Sequence, residues 1–204
     1  MAGRHTAETA RGAGRPRSAR AEKAIIEATL DLIGEGHGPA ELSIEAIAAR
    51  AGVGKTTIYR RWSNKEDLIV DALATVRAPL PPFRGRSFRE DLVSYLTVMR
   101  RDACDARSRR VLDIAMSEAE RHPRLVRRIY QAAIEPRRAA VAALVARGVE
   151  TGELRPDLDV QVALSMITGT VMWYMKTALN RGEEIPEDLP ERIADHLLAG
   201  LAPR

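Results

Sequence analysis

The residues of this sequence whose types and spacing suit chemistry are hydrogen-bond donors on one face of a short predicted helix over 55–62. These donors are Lys55, Thr56, Thr57, Tyr59, Arg60 and Arg61. Lysine and arginine can reach phosphate or guanine O6 and N7, and threonine offers a hydroxyl to base edges or phosphates and a methyl group to thymine. The side chains on this face therefore favour contact with a nucleic acid.

A second predicted helix over 43–50 precedes this segment and must position it. Ser43 suits the N-cap of this helix, and Ile44 and Ile47 belong to an apolar stripe at helical spacing. Gly52 can adopt a positive φ, which the turn between two crossing helices usually requires. Two short helices joined by a glycine turn, the second with donors and positive charge, describe a helix-turn-helix.

The tripeptide Gly54-Lys55-Thr56 also invites a different hypothesis, a phosphate loop in a nucleotide-binding enzyme. The pattern G-x-x-x-x-G-K-S/T requires its first glycine at position 49, where this chain has Ala49, and a β-strand before the loop. The residues over 44–50 have helical periodicity instead. The tripeptide is thus a weak argument for an enzyme, and we expect no catalytic residue and no cofactor.

Metal, disulfide and membrane roles find little support. Glu118 and His122 lie four residues apart on a predicted helix, but no third ligand is evident, so we expect no metal site. Cys104 is the single cysteine, which excludes an intramolecular disulfide and fits a reducing, cytoplasmic compartment. The longest near-apolar stretch, over 160–175, contains polar residues and is shorter than the roughly 20 residues of a membrane span, so no membrane partner is expected.

Charge is distributed unevenly along the 204 residues, which carry a net charge of +4. Residues 1–20 hold five arginines and one acidic residue, so the remainder holds 27 basic and 27 acidic residues and is neutral. Within this neutral part, residues 43–62 hold four basic residues against one acidic residue. Positive charge is thus concentrated in the N-terminal tail and the helix-turn-helix, as a polyanion-binding face requires.

Several short motifs occur in order around the helix-turn-helix. They are Ile47-Ala48, Ala51-Gly52-Val53, Thr57-Ile58-Tyr59, Trp62 and Asn64-Lys65-Glu66-Asp67-Leu68. In this order and register they resemble the DNA-binding domain of the tetracycline-repressor (TetR) family of transcriptional regulators. The resemblance is strong over about residues 20–75 and looser beyond, and the segment Gly152-Glu153-Leu154-Arg155-Pro156 is similar to one that precedes the dimerising helices of the family.

The resemblance implies roles for eight residues, seven in the helix-turn-helix and one, Lys65, in the helix predicted to follow it. The residues that would face the major groove are Lys55, Thr56, Thr57 and Arg60. Those that would hold backbone phosphates are Ser43, Tyr59 and Lys65. Gly54 stands where the family often has serine or threonine, and it completes the predicted DNA-binding set. The resemblance further implies a near-palindromic double-stranded DNA operator, and we expect a repressor.

Helical periodicity interrupted by glycine and proline predicts an all-α fold of about nine helices. The predicted helices span about 18–35, 43–50, 55–62, 64–78, 87–104, 108–121, 123–149 with a kink at Pro136, 157–180 and 187–201. Pro79, Pro81 and Pro82 mark the clearest break. We predict a disordered basic arm over 1–17, a helix-turn-helix domain over 18–63, and a C-terminal domain over 64–204 that includes the linking helix over 64–78.

The C-terminal domain is predicted to dimerise and to bind an effector. The helix over 157–180 is apolar on more than one face, so we expect a homodimer through this helix and the one over 187–201. By resemblance, a small, apolar effector would bind in the same domain, and the side chains that we expect to line its cavity are Tyr95, Met99, Met116, Tyr130 and Trp173. The alternative to a sequence-specific regulator is a sequence-neutral DNA-binding protein. For the basic arm over 1–17 two interpretations remain open, a solvated tail and an arm that contacts phosphates or enters the minor groove.

Overall fold

The computed structural model describes residues 14–76, 80 and 82–201, and every regular element in these ranges is helical. The predicted all-α fold is therefore confirmed. Residues 1–13 of the predicted arm, and Pro79 and Pro81 of the predicted break, lie outside the described residues. The chain divides into two compact units, Met1–Ala72 and Leu73–Arg204.

The first unit contains the predicted helix-turn-helix. Its helices are α1 (Gly14–Gly34), α2 (Ile44–Ala51), α3 (Lys55–Tyr59) and the first part of α4 (Lys65–Val76). Helix α1 begins four residues before the start predicted at position 18. Pro16 permits this earlier start because a backbone N–H in the first turn has no intrahelical partner, so the missing N–H costs no hydrogen bond. Ile25, Ile47 and Ile58, one from each of the first three helices, are fully buried.

The second unit contains six further helices. They are α5 (Phe88–Cys104), α6 (Ala106–Ser117), α7 (Pro123–Ile129), α8 (Glu135–Glu150), α9 (Val160–Asn180) and α10 (Leu189–Leu201). Helix α5 packs against α8, α9 and α10, so it lies at the centre of this unit. The fully buried side chains of its core include Leu92, Leu96, Val141, Val145, Leu164, Ile167 and Val171.

Helices α7 and α8 form one continuous path, as predicted for 123–149, but the irregularity precedes the proline. A π-helical turn over Tyr130–Ile134 joins them, and the N–H of Glu135 donates to the carbonyl of Tyr130. Pro136 has no N–H, and its ring would clash with a carbonyl four residues earlier in a regular helix. A π turn at that point widens the path and relieves the clash. Counted with this path as one element, the described residues form nine helices.

The loop before α5 is held by a buried carboxylate. Asp91 is almost fully buried and accepts hydrogen bonds from the N–H groups of Arg84 and Gly85, at 2.8 and 2.9 Å, and from Nη2 of Arg147. Burial by itself would raise the pKa of Asp91, but the guanidinium of Arg147 and the two N–H groups outweigh it, so the pKa lies below its ordinary value. Asp91 thereby ties this loop to α5 and α8.

The close approach of α8 to α5 depends on Gly148. A Cβ at this position would lie 2.9 Å from Leu154 Cδ1 and 2.9 Å from Phe88 Cδ2, and both of these side chains are buried. Glycine is therefore required at this position by packing rather than by its backbone angles.

We predict that Gly148→Ala destabilises the chain by about 1–3 kcal/mol, because the added methyl group overpacks this core. Urea unfolding followed by circular dichroism measures the change. Gly200→Ala, which also adds a methyl group within a helix but meets no atom within 4 Å, is the matched control and should not destabilise. Equal effects of the two substitutions would contradict the packing explanation.

Candidate nucleic-acid interface

Helices α2 and α3 are fixed by their caps and by the turn between them. Ser43 caps α2, since its Oγ accepts a hydrogen bond from the N–H of Ala46 at 3.1 Å. Gly52 ends α2 with a φ of 65°, a left-handed conformation that glycine adopts without a steric cost. The N–H of Val53 then donates to the carbonyl of Ala48 at 3.0 Å, which closes the turn. Gly54 precedes α3 and provides no side-chain cap.

Two buried side chains hold α3 and the residues after it against the rest of the first unit. Ile58 is fully buried and Trp62 is 5% exposed. Trp62 also donates from Nε1 to Oδ2 of Asp71 on α4 at 2.8 Å. Trp62 is therefore an anchor, and α3 presents its opposite face to solvent.

That exposed face carries most of the predicted DNA-binding residues. Lys55, Thr56, Tyr59 and Arg60 are exposed, and Thr57 is partly buried. Tyr59 is 54% exposed, an unusual state for a large aromatic side chain in a core-forming segment. The structure therefore brings the predicted major-groove residues together on one surface.

Most of the positive charges near α3 already have partners within the chain. Lys55 Nζ lies 2.9 Å from Glu45 Oε1, and Lys65 Nζ donates to the carbonyls of Leu42 and Ala40 at 2.7 and 3.2 Å. The mutual hydrogen bond lowers the pKa of Glu45 and raises the pKa of Lys55, so both groups stay charged at neutral pH.

The two arginines at the edges of this surface are paired as well. Arg50 forms a bidentate pair with Glu35, with N–O distances of 2.8 and 3.1 Å. Arg61 Nη2 donates to the carbonyl and the hydroxyl of Ser18 on α1. Among the described residues between 43 and 65, Arg60 is the cation whose side chain makes no hydrogen bond or ion pair within the chain. These pairings join residues 10 to 43 positions apart, so local spacing in the sequence carried no signal for them.

The five residues predicted to line an effector cavity do not all meet. Met99 and Met116 line a cavity of about 350 Å³ between α5, α6 and α9. Tyr95 is buried in the core, Tyr130 lines a separate groove beside α7, and Trp173 is 70% exposed on α9. The cavity is also lined by residues that the sequence analysis did not single out, among them Asp102, Ser108, Arg109, Met172, Met175 and Lys176.

The part of the chain that the structure describes has neither a candidate metal cluster nor a candidate membrane-spanning helix. Within it, no group of three or more His, Cys, Asp or Glu side chains is arranged to hold a metal ion. No helix in the same ranges is both long and apolar enough to span a bilayer.

Comparison with known proteins identifies the family. One family model, described as bacterial regulatory proteins, tetR family, matches residues 25–72, and another, described as tetracyclin repressor-like, C-terminal domain, matches residues 84–197. The chain is 33% identical over 191 residues to the uncharacterized HTH-type transcriptional regulator YdeS of Bacillus subtilis (strain 168), and the match covers 92% of this chain and 93% of YdeS. The chain belongs to the tetR family. It is a DNA-binding transcriptional regulator, and the family predicted from the motifs between 47 and 68 is confirmed.

The chain is also similar to a curated repressor and, in its fold, to a solved structure. The DNA-binding transcriptional repressor TetR of Mycobacteroides abscessus is 34% identical over 145 residues, which cover 67% of this chain and 74% of that repressor. A crystal structure of FadR from Bacillus subtilis in complex with stearoyl-CoA has the same fold, with a TM-score of 0.71 and 21% identity over 88% of this chain and 98% of FadR.

We predict that Glu45→Gln strengthens binding to DNA of any sequence, because it removes the negative charge that compensates the Lys55 ammonium beside α3. The plot of log K against log salt concentration should become steeper by about 1, the change expected for one added phosphate contact. Fluorescence anisotropy with a random-sequence duplex measures both quantities.

The matched control for this substitution is Glu183→Gln. Glu183 forms an exposed pair with Arg181 in the second unit, with a distance of 2.6 Å, and its substitution changes the net charge equally. If both variants steepened the salt dependence to the same extent, net charge rather than the position of Glu45 would be responsible.

Proposed function

We propose that this regulator binds a near-palindromic operator as a homodimer, represses transcription there, and is released by a small-molecule effector. The observation that supports this most directly is the exposed donor face of α3, held in place by buried Ile58 and Trp62. In such dimers the two recognition helices enter successive major grooves about 34–36 Å apart, so the operator repeats its half-site in inverted orientation.

Within each half-site, Arg60 is proposed to make the main base contact, because its guanidinium is exposed and unpaired among the described residues. An arginine that donates twice to guanine O6 and N7 discriminates between bases, whereas a phosphate contact does not. Lys55, Thr56 and Thr57 would complete the major-groove surface, with the backbone of Gly54 beside them.

Phosphate contacts are proposed for Ser43, Tyr59 and Lys65. The Lys65 ammonium has three N–H donors and donates to the carbonyls of Ala40 and Leu42, so one donor remains for a phosphate oxygen. The Ser43 hydroxyl accepts the cap hydrogen bond and still has a proton to donate. The same side chains would therefore stabilise the first unit through internal hydrogen bonds and position it on the DNA backbone.

The proposed dimer interface is the solvent-facing side of α9, together with α10. Large apolar side chains recur along this side at helical spacing, and they are Val162, Met166, Trp173 and Tyr174. Gly169 and Thr170 are exposed between them and permit a close approach of a second helix. Exposed apolar stripes of this kind usually mark an interface, and a two-fold axis would pair the stripe with its own copy.

The proposed effector site is the cavity between α5, α6 and α9. Ser108 lines this cavity, and its hydroxyl lies 3.4 Å from the carbonyl of Val76, the last residue of α4. A ligand beside Ser108 would therefore disturb the end of the helix that also carries Asp71, the partner of Trp62. The switch requires about 1–3 kcal/mol of differential affinity for the two states. The crystal structure of FadR, which has the same fold, is a complex with stearoyl-CoA, and this supports the proposal that the chain responds to a small molecule.

We predict that Arg60→Ala weakens operator binding by about 1–3 kcal/mol and relaxes base preference at one position of each half-site. Selection of bound duplexes from a random pool, with the unchanged chain and with the variant, measures both effects. The unchanged chain should select two inverted half-sites. A sequence-neutral DNA-binding protein would select no consensus, and an equal loss on scrambled DNA would remove Arg60 from base recognition.

We also predict that Trp173→Asp converts the dimer to a monomer, because it places a charge in the centre of the apolar stripe. Light scattering after size exclusion measures the mass, and operator binding should weaken together with dimerisation. Tyr130→Asp alters another exposed aromatic residue, outside the stripe, and should leave the mass unchanged. A dimer that survives Trp173→Asp would contradict this interface.

A further inference from the structure

Four of the six methionines of the chain meet at one place. Met99 on α5, Met116 on α6, and Met172 and Met175 on α9 all line the cavity of about 350 Å³ described above, here called the methionine cavity. Met99 and Met175 are buried, Met172 is partly buried, and Met116 is 63% exposed at the rim. Thioethers therefore extend from the floor of the cavity to its opening.

Among the described residues, the lining of the methionine cavity offers thioethers but no aromatic side chain. Methionine sulfur makes favourable contacts with the edges of aromatic rings, and the flexible side chain adapts to the shape of a ligand. Among the described residues that line the cavity there is no Phe, Tyr or Trp. An aromatic ring placed inside the cavity among these sulfurs would then belong to the ligand.

Charges around the methionine cavity favour an anion. Asp102 is buried and paired with Arg137, so its negative charge is already compensated. Arg109 uses Nη1 to donate to the carbonyl of Ala103 and keeps its positive charge and its other donors. The ammonium group of Lys176 is exposed and makes no hydrogen bond or ion pair with another described residue, and Asp113 is the one other carboxylate of the lining. Two cations thus face one uncompensated carboxylate.

The size of the cavity limits the ligand. Small-molecule sites usually measure about 300–1,000 Å³, so 350 Å³ lies near the lower limit. A ligand of one or two fused rings fits this volume better than a long acyl chain.

We propose that the methionine cavity binds a compact aromatic acid, with its ring among the four thioethers and its carboxylate directed to Arg109 and Lys176. This inference rests on the proposed function, which makes the cavity the effector site. It adds the chemical class of the ligand, which the family assignment leaves open.

The ring position is tested by NMR of the full chain labelled with ¹³C in the methionine methyl groups, titrated with 1-naphthoate. Ring currents should shift the signals of Met99, Met116, Met172 and Met175. Met166 is exposed on α9 and does not line the cavity, so its signal is the internal control. Single Met→Leu variants assign the signals. A titration that shifts Met166 alone, or none of the four cavity signals, would overturn the proposal.

The charge preference is tested by calorimetry with 1-naphthoate and the neutral 1-naphthylmethanol. Lys176→Gln should weaken naphthoate binding by about fivefold, as expected for the loss of one exposed charge pair, and leave naphthylmethanol binding unchanged. Arg109→Gln should act in the same direction, but Arg109 also holds the Ala103 carbonyl, so the exposed Lys176 provides the variant that does not perturb folding. Equal losses for both ligands, or tighter binding of decanoate than of naphthoate, would overturn the aromatic acid.

Operator binding in the presence of 1-naphthoate separates this proposal from the proposed function. If naphthoate shifts the cavity signals but leaves operator affinity unchanged, the ligand class stands and the effector role of the cavity fails. If decanoate fills the cavity and releases the operator while naphthoate does neither, the effector role stands and the aromatic acid is wrong.

Discussion

The burial of Ile58 and Trp62 is the constraint on which the DNA-binding unit depends. Helix α3 has five residues, far too few for a helix that is stable by itself in water. It also lacks a side-chain cap at its N-terminus. Its orientation must therefore come from packing, and the hydrogen bond from Trp62 to Asp71 adds a directional contact to that packing. Every donor on the exposed face takes its position from these two buried side chains.

The ion pairs around α3 divide the positive charges into two kinds. Arg50 and Lys65 contribute to the structure of the unit through Glu35 and through the carbonyls of Ala40 and Leu42. Arg60, whose guanidinium has no such partner among the described residues, is the cation proposed to contact a base. Exposed pairs contribute little to stability, but a carboxylate beside a phosphate-binding surface lowers its affinity for every DNA sequence. Glu45 is therefore better placed to lower the overall affinity for DNA than to stabilise the fold.

Helix α9 belongs to three different environments. Its inner side, with Leu164, Ile167 and Val171, packs in the core of the second unit. Its outer side carries Trp173 and the exposed apolar stripe, and its C-terminal part contributes Met172 and Met175 to the methionine cavity. A helix that is apolar nearly all round is expected to be surrounded, and a second copy of the chain together with a ligand would provide what the single chain does not.

The sequence by itself determined the helices and the family, because both depend on local information. Ser43 and Gly52 mark the ends of α2 by their own chemistry, and the period of the apolar residues predicts the core positions on each helix. The same local patterns placed the donors on one face of α3. The helix predicted over 108–121 spans Ala106–Ser117 in the structure, because Asp105 caps its N-terminus.

Only the tertiary structure decided which charges are paired and which methionines meet. Glu45 and Lys55 are ten residues apart, and Met99 and Met175 are on different helices, so no spacing rule connects them. A Met, Tyr or Trp in an amphipathic helix has the same sequence signature in a core, in a cavity wall and on an exposed stripe. Tyr95, Met116 and Trp173 occupy these three environments in turn, since the packing of neighbouring helices rather than the residue itself determines what each side chain contacts.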